Sequence, residues 1–156
     1  MSWDLLGHEW AENLLRSHIA RDDARHAYLL TGAPGVGRRS LALEFASALN
    51  CQQPPAAGDY CGTCRVCRQT AAMQLPDLSL VTPENDGGMI KVGQVRELQH
   101  ILSLTPYEAR YRVALLLNFQ LANANAQNAL LKTLEEAPPR VILLLTADSA
   151  DSLLPT

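Results

Sequence analysis

The run Gly32-Ala33-Pro34-Gly35-Val36-Gly37-Arg38-Arg39-Ser40 has the spacing of a phosphate-binding loop. The working motif is Gly-x-x-x-x-Gly-Lys-Ser/Thr between a strand and a helix. Its backbone N–H groups curl around phosphate oxygens, its lysine reaches the outer phosphates and its hydroxyl holds Mg²⁺. Here Gly32 and Gly37 keep the spacing, with Gly35 between them, but Arg38 stands at the lysine position and Arg39 at the hydroxyl position. Arg38 retains a positive charge, yet its planar fork does not replace a compact ammonium in a tight cradle. Arg39 would bring a second cation toward the place of the metal. Ser40 does not restore the hydroxyl, because one step along a helix turns a side chain by about 100°. Gly32, Gly35, Gly37, Arg38, Arg39 and Ser40 therefore read as a degenerate phosphate loop. Hydrolysis is not expected of it, and whether ATP or ADP still lodges there is left open by these residues.

The acids that should complete such a site are also missing. In nucleotide hydrolases a second buried strand ends in an acid that helps to hold Mg²⁺, often followed by one that activates water. The corresponding strand ends Leu116-Leu117-Asn118, and neither Leu117 nor Asn118 can act as a general base. Losing the lysine, the metal hydroxyl and both acids together predicts a domain without catalytic residues.

A second constellation is Cys51, Cys61, Cys64 and Cys67, the four cysteines of the chain. Two-residue gaps let neighbouring thiolates converge on one ion, and four of them fill the tetrahedral shell of a structural Zn²⁺. An iron–sulfur cluster uses the same donors and is the main competitor. Pro54, Pro55, Gly58, Asp59 and Gly62 between them are turn formers that do not readily build a core of their own. Metal binding would then supply folding energy, about 10–16 kcal/mol for small structural sites. His8, His18, His26 and His100 are scattered and read as ordinary polar or capping residues.

These sites need elements to position them. Apolar residues recur at helical spacing from Trp10 to Ile19. Tyr28-Leu29-Leu30 reads as a strand, and Leu41 to Ala46 opens a helix. Asp77 to Val81 alternates as a strand does. Val95, Leu98, Ile101 and Leu102 share one helix face that ends before Pro106, and Asn85-Asp86-Gly87-Gly88 is a loop. Val113–Leu117 and Val141–Leu145 are continuous apolar runs, as in strands buried on both faces, with a helix from about Ala124 to Glu136 between them. Strands alternating with helices predict an α/β fold with a central parallel sheet. At 156 residues and 47% hydrophobic content one domain is expected. A net charge of −3 argues against a dedicated nucleic-acid binder. No apolar run has the length of a membrane span and no signal peptide is evident, so a cytoplasmic location with reduced thiols is expected.

Four stretches give the chain a specific resemblance: His26 to Gly32, the four-cysteine spacing, Ile90–Leu98 with Leu104-Thr105-Pro106-Tyr107, and Asn128-Ala129-Leu130-Leu131-Lys132-Thr133-Leu134-Glu135-Glu136. Together they make the chain similar to the delta-prime subunit family of the bacterial DNA polymerase III clamp loader, AAA+ proteins related to the ATP-hydrolysing gamma/tau subunits. The resemblance implies a RecA-like AAA+ P-loop domain over residues 1–156, with 51–67 as an inserted zinc-binding module. It places Thr146 near a sensor position and implies a non-hydrolysing stator role, the alternative being an ATP-binding or active gamma/tau-type ATPase. Implied partners are gamma/tau and delta, and indirectly the sliding clamp and primed DNA, with no membrane. Arg65 and Arg68 are either contacts to a partner or DNA backbone, or solvated charges. Members of the family continue into a Ser-Arg-Cys motif, a last sheet strand, a lid and a collar, so this chain is expected to be C-terminally incomplete. The sheet edge beside Tyr28–Leu30 would then be open, and a dimer formed there would be non-physiological.

Overall fold

Every residue of two strands, β3 (Arg112–Leu116) and β4 (Val141–Ala147), is buried, and the fold is arranged around that pair. The computed structural model describes residues 9–31, 38–83, 88–104, 109–136 and 138–148. Gly32, Gly35 and Gly37, residues 85–87 of the expected loop, and Thr105, Pro106 and Tyr107 lie outside the described residues. The remaining elements are α1 (Glu9–Ala20), β1 (Ala27–Thr31), α2 (Arg38–Asn50), α3 (Arg65–Ala71), β2 (Leu78–Val81), α4 (Val92–Leu102) and α5 (Ala124–Glu135). A single 3-10 turn, Phe119–Leu121, follows β3.

The four strands form one parallel sheet in the order β1-β4-β3-β2. Parallel strands need crossovers, and the helices that supply them cover both faces. Val113, Leu115, Ile142 and Leu144 pack with Leu15 of α1 and Leu41, Phe45 and Leu49 of α2. Ala114, Leu116, Leu143 and Leu145 face the other way, onto Val95 and Leu98 of α4 and Ala126 and Leu130 of α5. This explains the unbroken apolar runs: alternate side chains enter opposite halves of the core.

Edge strands behave differently. Among the described strands β1 lies at one edge and β2 at the other. Leu29 is 41% exposed and Leu80 46% exposed. The alternation expected from Asp77 to Val81 therefore does not bury Leu80. Asp77, read as the start of that strand, instead precedes β2 and is fully buried. Its Oδ1 lies 3.4 Å from Arg112 Nη2, and its Oδ2 accepts the Ala109 N–H at 2.7 Å. A charged pair this deep holds only while both partners remain.

The helix α3 was not legible in the sequence. It is short, and its N-cap is Cys64, whose Sγ accepts from the Cys67 N–H, so a metal-ligand type does the work normally done by serine or aspartate.

Replacing Asp77 with alanine leaves the Arg112 guanidinium buried beside lost partners, and is expected to cost about 3–5 kcal/mol. Urea unfolding of the Asp77→Ala variant measures it. A cost below about 1 kcal/mol would show that the pair does not hold the β2–β3 corner.

Candidate phosphate-loop and metal centres

Three side chains meet at the C-terminal ends of the strands, where open α/β sheets bind ligands. Arg38 is the first residue of α2, and its Nη2 donates to Asn118 Oδ1 at 3.1 Å. Asn118 follows β3 by two residues, in the left-handed region (φ 57°, ψ 50°). Asparagine tolerates that region far better than a branched side chain does. The Asn118 N–H in turn donates to Thr146 Oγ1 on β4 at 2.8 Å, and Thr146 is buried. The positions that the sequence matched to lysine, acid and sensor are thus joined in one chain of hydrogen bonds. It contains a cation, a neutral amide and a hydroxyl, but no carboxylate. No general base and no anionic metal ligand come from these three residues. Leu117, the other acid position, is buried in the core on the α1 and α2 side of the sheet.

Arg39 and Ser40 do not join this group. Both are exposed, and Arg39 Nη2 lies 3.5 Å from Met73 Sδ in the turn after α3. The second cation, expected near the place of a metal, packs against that turn because the helix rotates it away from Arg38. The direct bond between Arg38 and Asn118 is what sequence reasoning missed. Eighty positions separate the two residues along the chain. The usable signal was the asparagine itself, a residue suited to a left-handed strand exit.

The second centre is the cysteine cluster. The Sγ atoms of Cys51, Cys61, Cys64 and Cys67 all lie within 4.8 Å of one another, and all four thiols are free of disulfides. A tetrahedral ion with metal–sulfur bonds of about 2.3 Å needs sulfurs about 3.8 Å apart, so the group fits a metal with little adjustment. Backbone N–H groups aim at the sulfurs: Cys61 N to Cys51 Sγ at 3.2 Å, and Thr63 N and Cys64 N to Cys61 Sγ at 3.4 and 3.2 Å. Such donors favour thiolate. The Thr63 and Cys64 N–H groups lower the Cys61 pKa to about 5, whereas burial pushes the Cys51 and Cys67 thiols up. A cation at the centre would offset that burial. No histidine joins the cluster among the described residues. His18 Nδ1 lies 2.7 Å from the Tyr28 hydroxyl, and His26 Nε2 2.6 Å from the Leu134 carbonyl.

The segment between Cys51 and Cys61 docks on the main body. Gly58 has φ of 82°, and a Cβ there would meet the Arg16 carbonyl oxygen at 2.6 Å, so α1 can approach only a glycine. Arg16 Nη2 lies 3.8 Å from Asp59 Oδ2, and the Tyr60 hydroxyl donates to Glu44 Oε1 of α2 at 2.8 Å. Tyr60, Cys51 and Cys67 share the core of α1 and α2. The turn formers thus build no core of their own, as expected, and borrow the main one. Arg65 and Arg68 are exposed.

A family model described as DNA polymerase III, delta subunit, matches residues 7–156. The DNA polymerase III subunit delta' of Pseudomonas aeruginosa is 41% identical, over 94% of this chain and 44% of its own length. That of Bacillus subtilis is 35% identical, over 92% and 42%. The Escherichia coli DNA polymerase III subunit tau is 32% identical, over 96% of this chain and 23% of its own. The chain thus spans less than half the length of these relatives. Among solved structures, a Thermotoga maritima protein related to the DNA polymerase III gamma subunit superposes with a TM-score of 0.68 at 21% identity, covering 92% of this chain and 41% of that one. The Holliday junction branch migration motor RuvB of the same organism gives 0.52 at 15%, covering 94% and 39%. Both likenesses establish the fold, an α/β domain around a parallel sheet. With the family model spanning nearly the whole sequence, the chain belongs to the DNA polymerase III delta-subunit family.

Proposed function

We propose that this chain is the RecA-like AAA+ part of a non-hydrolysing, delta-prime-like stator in the DNA polymerase III clamp loader. It would act in the cytoplasm with gamma/tau and delta subunits, supporting ATP-driven loading of the sliding clamp onto primed DNA. The observation that carries this reading is the Arg38–Asn118 hydrogen bond: where a hydrolase sets a lysine and an acid, this chain sets an arginine and its neutral acceptor. Rate contributions from a general base and from a metal are each about a hundredfold or more, and the residues that would supply them are replaced. The 41% identity to a delta' subunit, against 32% to a tau subunit, supports the same choice. The role is then geometric. A stiff sheet, packed on both faces, offers neighbouring subunits a fixed surface, and Gly32, Gly35, Gly37, Arg38, Arg39 and Ser40 are read as a degenerate phosphate loop rather than as a site of turnover.

Residues 51–67 are read as a zinc-binding module inserted into a domain over 1–156. Cys51, Cys61, Cys64 and Cys67 would hold Zn²⁺, which when bound supplies a cross-link between the end of α2 and the start of α3. Four soft sulfur donors and convergent N–H groups support zinc, and the site has no reacting role.

Metal analysis of the purified complete protein is expected to find one zinc per chain, falling well below that in Cys61→Ser. Iron with visible absorption would replace the zinc assignment by a cluster. Chelation should lower stability by about 4 kcal/mol or more, the effect of a ligand at about 1,000 times its dissociation constant.

Assayed alone, the complete protein is expected to hydrolyse ATP no faster than background, while clamp loading by gamma/tau and delta depends on it. Turnover that is abolished by Arg38→Ala would overturn the stator reading and establish a gamma/tau-type ATPase.

A further inference from the structure

We propose that Arg38, Asn118 and Thr146 form an internal latch: the guanidinium grips the exit of β3 directly, so that α2 is fixed to the sheet by the chain's own side chains rather than by phosphate and metal. The proposal rests on the non-hydrolysing reading for its biological sense, but its physical content is separate. In a working phosphate loop, the residue that opens the helix and the residue that leaves the second buried strand both point at ligand, and the ligand connects them. Here the chain's own hydrogen bonds make the connection. Arg38 Nη2 reaches Asn118 Oδ1 at 3.1 Å, and the Asn118 N–H is held by Thr146 Oγ1 at 2.8 Å. Three elements, α2, β3 and β4, are tied in a line across the top of the sheet.

Each residue type suits this task and not phosphate transfer. A guanidinium carries five N–H donors on a planar fork and reaches an amide oxygen without giving up its charge. Asparagine supplies a side-chain acceptor and also accepts the left-handed backbone at φ 57°. Threonine 146 accepts the backbone N–H that this conformation turns toward β4. A phosphate arriving at the start of α2 would have to compete with Asn118 for Arg38. Binding of nucleotide is therefore linked to opening of the latch, and is weakened by it.

The test is a double-mutant cycle in the complete protein, read by amide hydrogen exchange over the first half of α2 and over residues 116–119. Arg38→Met keeps the apolar stem and removes the donors. Asn118→Gly removes the acceptor and keeps the positive φ without strain. Arg38→Met is expected to speed exchange about tenfold, the size of one hydrogen bond to a charged group. The same change made in the Asn118→Gly background should have a clearly smaller effect. Additive effects, or an Arg38→Met variant that exchanges like wild type, would overturn the latch. Asn118→Asp gives a second arm that does not depend on the glycine variant folding. A carboxylate opposite the guanidinium should slow exchange, and Arg38→Met should then have a larger effect than in wild type; an unchanged effect counts against the latch. Millimolar MgATP or MgADP should leave wild-type exchange over α2 unaltered. Protection that requires Arg38 and is no stronger in Asn118→Gly than in wild type would show that Asn118 does not compete for the guanidinium, and would sink the proposal. ATP turnover would instead refute the stator reading, while the coupling measured without nucleotide would still decide the latch.

Discussion

The burial of β3 and β4 on both faces is the constraint from which the rest of this structure follows. Strands with no solvent-facing side must hydrogen-bond to strands on either side and must be covered by helices above and below. β1 and β2 supply the first need, and the α1–α2 and α4–α5 layers the second. Because the sheet is parallel, all of its C-terminal ends emerge together. Arg38, Asn118 and Thr146 are neighbours for that reason, although they are far apart along the chain.

The same constraint organises the polar groups. Where the buried sheet meets its loops, backbone and charged groups must find partners. Asp77 with Arg112 is one solution at the lower end of β3. Asn50 is another: its side-chain amide donates to the Tyr111 carbonyl at 3.1 Å and accepts the Tyr111 N–H at 2.8 Å, extending strand-like bonding to the end of α2. Cys51 follows directly, so the residue that begins the cysteine cluster is placed by the same helix end that braces β3. The cysteine cluster and the sheet are mechanically continuous.

The bond between Arg38 and Asn118 belongs to the same framework. A hydrolase needs its helix and strand ends poised to respond to ligand. Substituting arginine for lysine and asparagine for an acid replaces a pair that waits for a ligand with a pair that satisfies itself.

The sequence by itself determined a good deal. Apolar runs at Val113–Leu117 and Val141–Leu145 identified buried strands, helical periodicity located α1, α4 and α5, and the spacing of Cys51, Cys61, Cys64 and Cys67 identified a set of donors able to converge. These signals are local, and local periodicity survives in one dimension. The phosphate-loop spacing is likewise a reading of residue type at fixed offsets, and its glycines lie outside the described residues. Tertiary structure alone decided what those residues touch. It sent Arg39 to Met73 and Arg38 to Asn118, exposed Leu80 on an edge strand, buried Asp77 against Arg112, and shaped residues 65–71 into a helix capped by a cysteine. The Arg38–Asn118 bond, the exposure of Leu80 and the Asp77–Arg112 pair are set by which strands become neighbours, and strand order is a property of the packed sheet that no window of sequence contains.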